Sequence, residues 1–388
     1  MVEYAYKFRI YPNEAQEDLI QRTFGCVRFV YNHYLAKRKE IYEQTGETLN
    51  YNACAKDLTV LKHAKDTLWL CEVDATALQS SLRDLDTAYQ NFFRSLKQGK
   101  HAGYPKFKSK KDNHKSYKCK MSIKVLDDKT VQLPKLGKVK CRVSKEVEGR
   151  ILSATVSQNP SGKYFVSLCC ADVEIAPCER TDKVCGVDLG VHDLAVTSDG
   201  AKYPNNKYIA KAEKKLARLQ RQLSRKSKGS NNRNKARVKV ARLQEHIANQ
   251  RRDAMHKVTT ELVRNYDVIC IEDLAPKNMV RNHHLAKSIA DTSFGEFRKQ
   301  LEYKASWHDR TVSVVDRFYP SSQLCSCCGT QWGGTKNLAV RGWVCPSCDS
   351  DLDRDINAAI NIRVARRTDP AAHGKVLRAV PLSTATGA

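Results

Sequence analysis

Apolar and polar residues alternate over residues 2–10, which predicts a strand. Pro12 and Asn13 then open a helix, with Gln16 three residues past an Asn13 cap. Its apolar stripe runs Ile20, Phe24, Val27, Tyr31, Leu35 at helical spacing. A second helix is expected around residues 51–64. A third runs from an Asp74 cap through Leu78, Leu82, Leu85, Tyr89, Phe92 and Leu96 to a stop at Gly99. Residues 13–99 therefore read as a helical unit whose stripes are core, with any function on the opposite faces.

Residues 121–172 read as short strands separated by turns such as Asn159-Pro160-Ser161-Gly162. With the first strand they could close a small β-barrel that the helical unit interrupts. At about residue 181 the pattern changes. Val184–Asp188 and Asp193–Thr197 read as strands joined by a turn at Gly190. Residues 207–264 read as two long helices broken at 227–232. Leu216, Leu219 and Leu223 face Val240, Leu243 and Ile247 in a seam suited to a helical hairpin. Strands at 268–271 and 311–315 follow, then a helix from Asp355 that fades by Arg367. The tail to Ala388 reads as disordered.

Composition adds a partner class. The 388 residues suffice for two to four domains. Lys and Arg number 67 against 42 Asp and Glu, a net charge of +25 that points to nucleic acid. The stretch 207–264 holds 18 of those cations and only 4 acids, more than solubility requires of one hairpin, and favours a duplex-facing role. Between 100 and 118, basic and aromatic residues interleave: His101, Tyr104, Lys106, Phe107, Lys108, His114, Tyr117, Lys118. Bases can stack on such rings while lysines track phosphates, although a solvated loop reads the same way. No apolar run approaches the roughly 18 residues of a membrane span, and the start lacks a signal peptide's apolar stretch. Most of the 15 cysteines sit singly in apolar stretches, as reduced thiols in a cytosolic protein do.

Three acids occupy costly positions. Asp188 ends the run Val184-Cys185-Gly186-Val187, Glu272 ends Val268-Ile269-Cys270-Ile271, and Asp355 heads the last helix. A buried carboxylate needs a cation partner. Two strand-end acids and one at a helix start suit two Mg²⁺ ions that clamp the attacking water and the leaving oxygen of a phosphodiester. The small Ala358 and Ala359 would let the helix approach the sheet. The order strand-Asp, strand, helical insertion, strand-Glu, strand, helix-Asp is an RNase H-like, RuvC-type order.

Cys325-x-x-Cys328 and Cys345-x-x-Cys348 flank a loop of 16 residues, the spacing of a structural zinc ribbon. Cys327 would replace Cys328 only with a Cys-x-Cys spacing that fits zinc less well. A redox role is the alternative.

Gly186-Val187-Asp188-Leu189-Gly190, Ile271-Glu272-Asp273-Leu274, Ser321-Ser322-Gln323-x-Cys325-x-x-Cys328-Gly329 and Asp353-Arg354-Asp355-Ile356-Asn357-Ala358-Ala359-Ile360-Asn361-Ile362 together resemble the TnpB (OrfB) family of insertion-sequence proteins, related to type V CRISPR effectors. Tyr6-Lys7-Phe8-Arg9-Ile10-Tyr11-Pro12 and Phe29-Val30-Tyr31-Asn32 resemble that family's helix-turn-helix-like start, and the resemblance spans residues 4–365. It implies an α+β, bilobed, multidomain protein. A wedge β-barrel (1–10, 105–180) would carry an inserted helical recognition domain (11–104). A RuvC-like nuclease (181–322, 351–368) would carry an inserted zinc ribbon (323–350), with a disordered tail at 369–388.

The resemblance further implies a prokaryotic, cytoplasmic, Mg²⁺-dependent endodeoxyribonuclease. A guide RNA from the transposon end would direct cleavage of double-stranded DNA beside a short flanking motif, with a monomer favoured and no membrane partner. It assigns Asp188, Glu272 and Asp355 to two catalytic Mg²⁺, and Cys325, Cys328, Cys345 and Cys348 to one structural Zn²⁺. Tyr51 and Gln79 become candidates for motif contact, with Lys106, Lys108, Arg218, Arg221 and Arg225 as further nucleic-acid contacts. The family places a Gly and often a His after the second knuckle, where Asp349 and Leu352 stand here. A nuclease-dead RNA-guided regulator would have lost an acid, and all three are present. A strand-transferring transposase on the same core is the remaining alternative.

Overall fold

The computed structural model describes residues 2–99, 103–112, 115–281, 283–337 and 339–368. His101, His114 and the tail 369–388 lie outside the described residues. The chain divides into two compact units, Met1–Glu174 and Ile175–Ala388.

The first unit opens with strand β1 (Val2–Tyr11), followed by helices α1 (Glu14–Thr45), α2 (Tyr51–His63) and α3 (Ala75–Lys97). Asn13 and Gln16 form a reciprocal capping box on α1, while the Asn50 and Asp74 side chains cap α2 and α3. Strands β2 (Lys115–Cys119), β3 (Lys124–Asp127), β4 (Thr130–Leu133), β5 (Gly137–Arg142), β6 (Arg150–Gln158) and β7 (Tyr164–Val173) follow. All join β1 in one antiparallel sheet of order β2-β6-β7-β1-β5-β4-β3, so the three helices interrupt a single sheet. Among the described residues no ladder joins its two edge strands, β2 and β3.

Two expectations for this unit need correction. The α3 stripe is core only through Leu85; Tyr89 and Phe92 are half-buried and Leu96 is exposed. Beyond Leu85 the rings of Tyr89 and Phe92 gather around Tyr104 instead. The basic segment also ends sooner than its composition suggested. Residues 115–119 are a strand, and Tyr117 is buried against Phe24, so its ring is closed to bases.

The second unit is built on a five-stranded sheet of order β10-β9-β8-β11-β12. Its strands are β8 (Val184–Asp188), β9 (Asp193–Thr197), β10 (Lys202–Pro204), β11 (Val268–Glu272) and β12 (Thr311–Val315). Strand β9 runs antiparallel to both β10 and β8, while β8, β11 and β12 are parallel to one another. Parallel strands need crossovers. The β8-to-β11 crossover includes α4 (Tyr208–Ser224) and α5 (Asn231–Asn265). Between β11 and β12 it is α6 (Pro276–Met279), α7 (His283–Thr292) and α8 (Phe294–Trp307), which the sequence pattern did not announce. The expected seam joins α4 to α5, but α5 does more than form a hairpin. Its Met255, Val258 and Leu262 pack with Phe297 and Leu301 of α8 on one face of the sheet. The other face is covered by α9 (Arg354–Thr368), whose Ile362 and Ala365 meet Cys270 and Val315. A small sheet of β13 (Gly342–Val344) and β14 (Asp351–Asp353) precedes α9.

Candidate functional site

Strand periodicity decides where the acids point. Cys185, Val187, Ile269 and Ile271 face the α5–α8 layer, whereas Val184 and Cys270 face α9. Successive side chains alternate, so Asp188 and Glu272 point to the α9 face. Their strands are paired with Val187 opposite Ile271, which sets the two acids side by side just past the last pair. Helix α9 brings the third. A Cβ on Gly186 would lie 1.9 Å from the Ala359 carbonyl oxygen, so this glycine is what permits the contact between helix and strand. Asp355 sits one helical turn before Ala359 on the same face and is carried toward the strand ends. Ala359 itself is fully buried, as its small size suggested.

The three acids act on one another through charge. Burial, then the charges of Glu272 and Asp355, push Asp188 up to about 8, against the opposing pull of Arg354 and Arg341. Burial also raises Glu272, offset by a hydrogen bond from Ser321. Asp355 accepts from Arg341 at 3.2 Å and 3.4 Å. Among the described residues no group donates a hydrogen bond to the Asp188 side chain. Three carboxylates that feel one another's charge are the hard oxygen donors that a divalent cation such as Mg²⁺ takes, although among the described residues only the four cysteines stand close enough together to share one ion as they are.

The supporting residues carried little signal of their own. Asp353 accepts the backbone N–H groups of Asp355 and Ile356, both at 3.0 Å, and pairs with Lys202 at 2.6 Å. Asn357 and Asn361, one turn apart on α9 and almost wholly buried, donate to the Leu324 carbonyl, each at 2.7 Å. Asn357 also accepts from Ser326 N–H, and Asn361 donates to the Ser321 carbonyl. Buried amides inside an apolar helix must find such partners, so their i, i+4 spacing was the available clue.

The four cysteines Cys325, Cys328, Cys345 and Cys348 come together, with all Sγ atoms within 4.8 Å of one another and two pairs at 3.6 Å. A tetrahedral zinc with sulfur at about 2.3 Å has S–S edges of roughly 3.8 Å, so the donor set fits zinc. Hydrogen bonding with Thr330 holds Cys328 down at about 6, which favours the thiolate a metal requires. Cys327 lies exposed beside the cluster and is not part of it. Asp349 adopts the left-handed backbone (φ 54°) that Gly329 adopts at the first knuckle, so an aspartate serves where the family has glycine. Leu352 packs beneath with Trp343. Arg341, the Asp355 partner, lies between the two knuckles; its contribution was missed from the sequence.

The other candidates are distributed over both units. In the first, the Arg83 guanidinium rests on the Tyr51 ring at 4.5 Å. Exposed Gln79 lies one helical turn before Arg83, a residue not anticipated from the sequence. Lys106 is exposed. Lys108 is anchored by reciprocal backbone bonds with the Asn32 side chain and stands 4.2 Å over Tyr31. In the second unit Arg218, Arg221 and Arg225 are exposed at i, i+3, i+7 on one face of α4 and its C-cap. Among the described residues no hydrogen bond or ion pair joins these three to the acids.

Residues 167–283 match the OrfB_IS605 family, described as a probable transposase, and residues 1–47 match that family's helix-turn-helix domain. Residues 294–362 match the Cas12f1-like TNB domain. A Streptomyces pristinaespiralis protein named "Putative RNA-guided DNA endonuclease" is 40% identical over 367 residues, covering 94% of this chain and 89% of its own. InsQ of Escherichia coli K12, which carries the same description, is 37% identical over 377 residues, covering 93% and 92%. Among solved structures, the Cas12f1–sgRNA–target DNA complex aligns over 94% of this chain and 99% of its own at 16% identity, with a TM-score of 0.36. With two relatives this similar over nearly their whole length, the chain belongs to the OrfB_IS605 (TnpB) family.

Proposed function

We propose that this protein is an RNA-guided DNA endonuclease that cuts double-stranded DNA at Asp188, Glu272 and Asp355. The observation that carries the chemistry is the convergence of these three carboxylates from two strand ends and one helix, felt at Asp188 as a rise to about 8. The sheet order and the helix laid across it support an RNase H-like, RuvC-type core for the second unit. The interrupted sheet of the first unit supports a wedge with an inserted helical recognition domain.

The chain's own residues shape the cutting site. Asp188, Glu272 and Asp355 would supply the oxygen ligands, and Ser321 donates to the Glu272 carboxylate. Mg²⁺ bound there would polarise the phosphodiester and lower the pKa of the attacking water. Arg341, bound to Asp355 yet half exposed, keeps further N–H donors available for a phosphate oxygen. The four thiolates leave no open position, so zinc in the ribbon is structural; its folding holds Arg341 near Asp355. Guide pairing would read sequence, while the protein reads heteroduplex shape and a short flanking motif. Arg218, Arg221 and Arg225, exposed along one helix, would follow a nucleic-acid backbone, and Tyr51, Gln79, Lys106 and Lys108 would meet DNA or RNA in the first unit. The guide is taken to come from the transposon end.

The family description as a transposase favours one second reading, strand transfer on the same core. One experiment separates the two. Protein expressed with its flanking transposon end is purified and given target DNA and Mg²⁺. Guided hydrolysis gives cut ends, and Asp188→Ala abolishes cutting while guided binding persists. Joined transposon ends formed without RNA would establish strand transfer instead, and cutting by Asp188→Ala would move the active site elsewhere.

A further inference from the structure

Phe318 is 86% exposed, more than any other large apolar side chain among the described residues. It does not extend a wider apolar surface, because Asp316 and Arg317 beside it are exposed and charged. Burying such a ring would be favourable, so displaying it costs the fold an opportunity that neighbouring Tyr319 takes. Tyr319 turns inward onto Cys270, Val315 and Ile362.

The segment that carries Phe318 is braced on both sides. Arg317 donates to the Asp273 carbonyl at 3.0 Å and pairs with its carboxylate, which Arg298 also holds at 2.7 Å. Asp316 accepts the Phe318 N–H through its side chain at 2.8 Å and the Tyr319 N–H through its carbonyl at 3.2 Å. Three residues on, Ser321 donates to Glu272, and its own carbonyl accepts from Asn361 at 2.8 Å. Both flanks of Phe318 are thus fastened to the Glu272–Asp273 pair at the end of β11. The backbone that carries the ring is held on a turn whose freedom was already lost in folding, and a ligand that meets it has only the side chain left to order.

We propose that Phe318 is a stacking platform for an unpaired nucleobase of the DNA strand that reaches the three-acid site, a role that rests on the nuclease reading above. An isolated ring on a fastened turn in polar surroundings suits the π-face of a base, and stacking of this kind tolerates any sequence, as a guided nuclease requires. A protein partner would call for a contiguous apolar patch, which the charged flanks deny. Phe318 is a positioning residue: it would set the strand's path rather than touch the reacting phosphate.

The test uses the full chain with its copurified RNA. The probe is a single-stranded oligodeoxynucleotide complementary to that RNA, with an unpaired overhang that carries 2-aminopurine at successive positions. In the Asp188→Asn background, 2-aminopurine fluorescence is quenched at one overhang position, and Phe318→Ala removes the quench. In the cleaving protein, Phe318→Ala raises the DNA concentration for half-maximal cutting roughly 5- to 150-fold. Phe318→Trp restores it, Phe318→Leu does not, and melting temperatures stay together because the side chain is exposed. Equal quenching with alanine, or unchanged cutting, overturns the proposal. If the unsubstituted protein binds its RNA but cuts no DNA, the nuclease reading fails first and takes this role with it.

Discussion

Arg341 shows how a single side chain can tie two sites together. It lies between the zinc knuckles, and its guanidinium sits 3.2 Å from Asp355. Loss of a zinc ligand should therefore be felt at the acids. Cys345 is wholly buried in the cluster. Cys345→Ser is expected to lose its zinc and melt at lower temperature, because metal-binding energy is folding energy in such ribbons. Cleavage should fall with both. Elemental analysis with thermal melts checks the pair, and a variant with full zinc content would remove Cys345 from the ligand set. Residue identity at these places was legible: acids ending apolar runs and paired Cys-x-x-Cys knuckles are costly patterns with few explanations. Arg341, Arg83 and Lys202 were not, because an arginine or lysine in a chain with 67 of them carries no mark of its own.

At the scale of elements, the contact between α9 and β8 places Asp355. Gly186→Ala would force its Cβ against the Ala359 carbonyl and the Arg363 N–H, 1.9 Å and 2.7 Å away. Overpacking of this kind costs about 1–3 kcal/mol. The predicted result is a lower urea midpoint together with cutting reduced far more than the stability loss explains, since Asp355 moves with the helix. A variant with normal cutting would show that the close approach is dispensable. The α5–α8 layer offers a pH test. Lys304 is buried and donates to the His256 carbonyl, Thr259 and Thr260, and burial lowers it to about 8. In the unfolded chain a lysine titrates near roughly 10.4, so between these values the unfolded state holds the extra proton and stability from this group rises with pH. Relative to Lys304→Met, the protein should therefore gain unfolding free energy between pH 8 and 10, measured by urea titration; a flat difference would contradict the burial. Neither α8 nor its lysine was expected. The pattern showed two apolar strands at 268–271 and 311–315, but their parallel pairing, which demands a crossover, becomes visible only in the sheet.

At the scale of the whole molecule, alternation and helical spacing were enough to place β1, α1–α3 and, in the second unit, β8, β9, α4, α5, β11, β12 and α9, but not β10 or the helices α6–α8. Chain order also carried the acids' common face, since Asp188 and Glu272 each follow a buried residue on the opposite face. Where the pattern misled, tertiary surroundings had intervened. The α3 stripe runs on past Leu85, where its burial ends, and Tyr117 looks like a surface aromatic among lysines until its strand is paired. The central claim is that RNA chooses the DNA that these three acids cut. Its most direct measurement replaces the guide segment of the copurified RNA with a new sequence and maps cut ends on a DNA that holds both the old and the new target beside the same flanking motif. Cleavage that moves to the new target, and vanishes in Asp188→Ala, is the predicted result. Cuts that stay at the old site, or that form without RNA, would contradict the account.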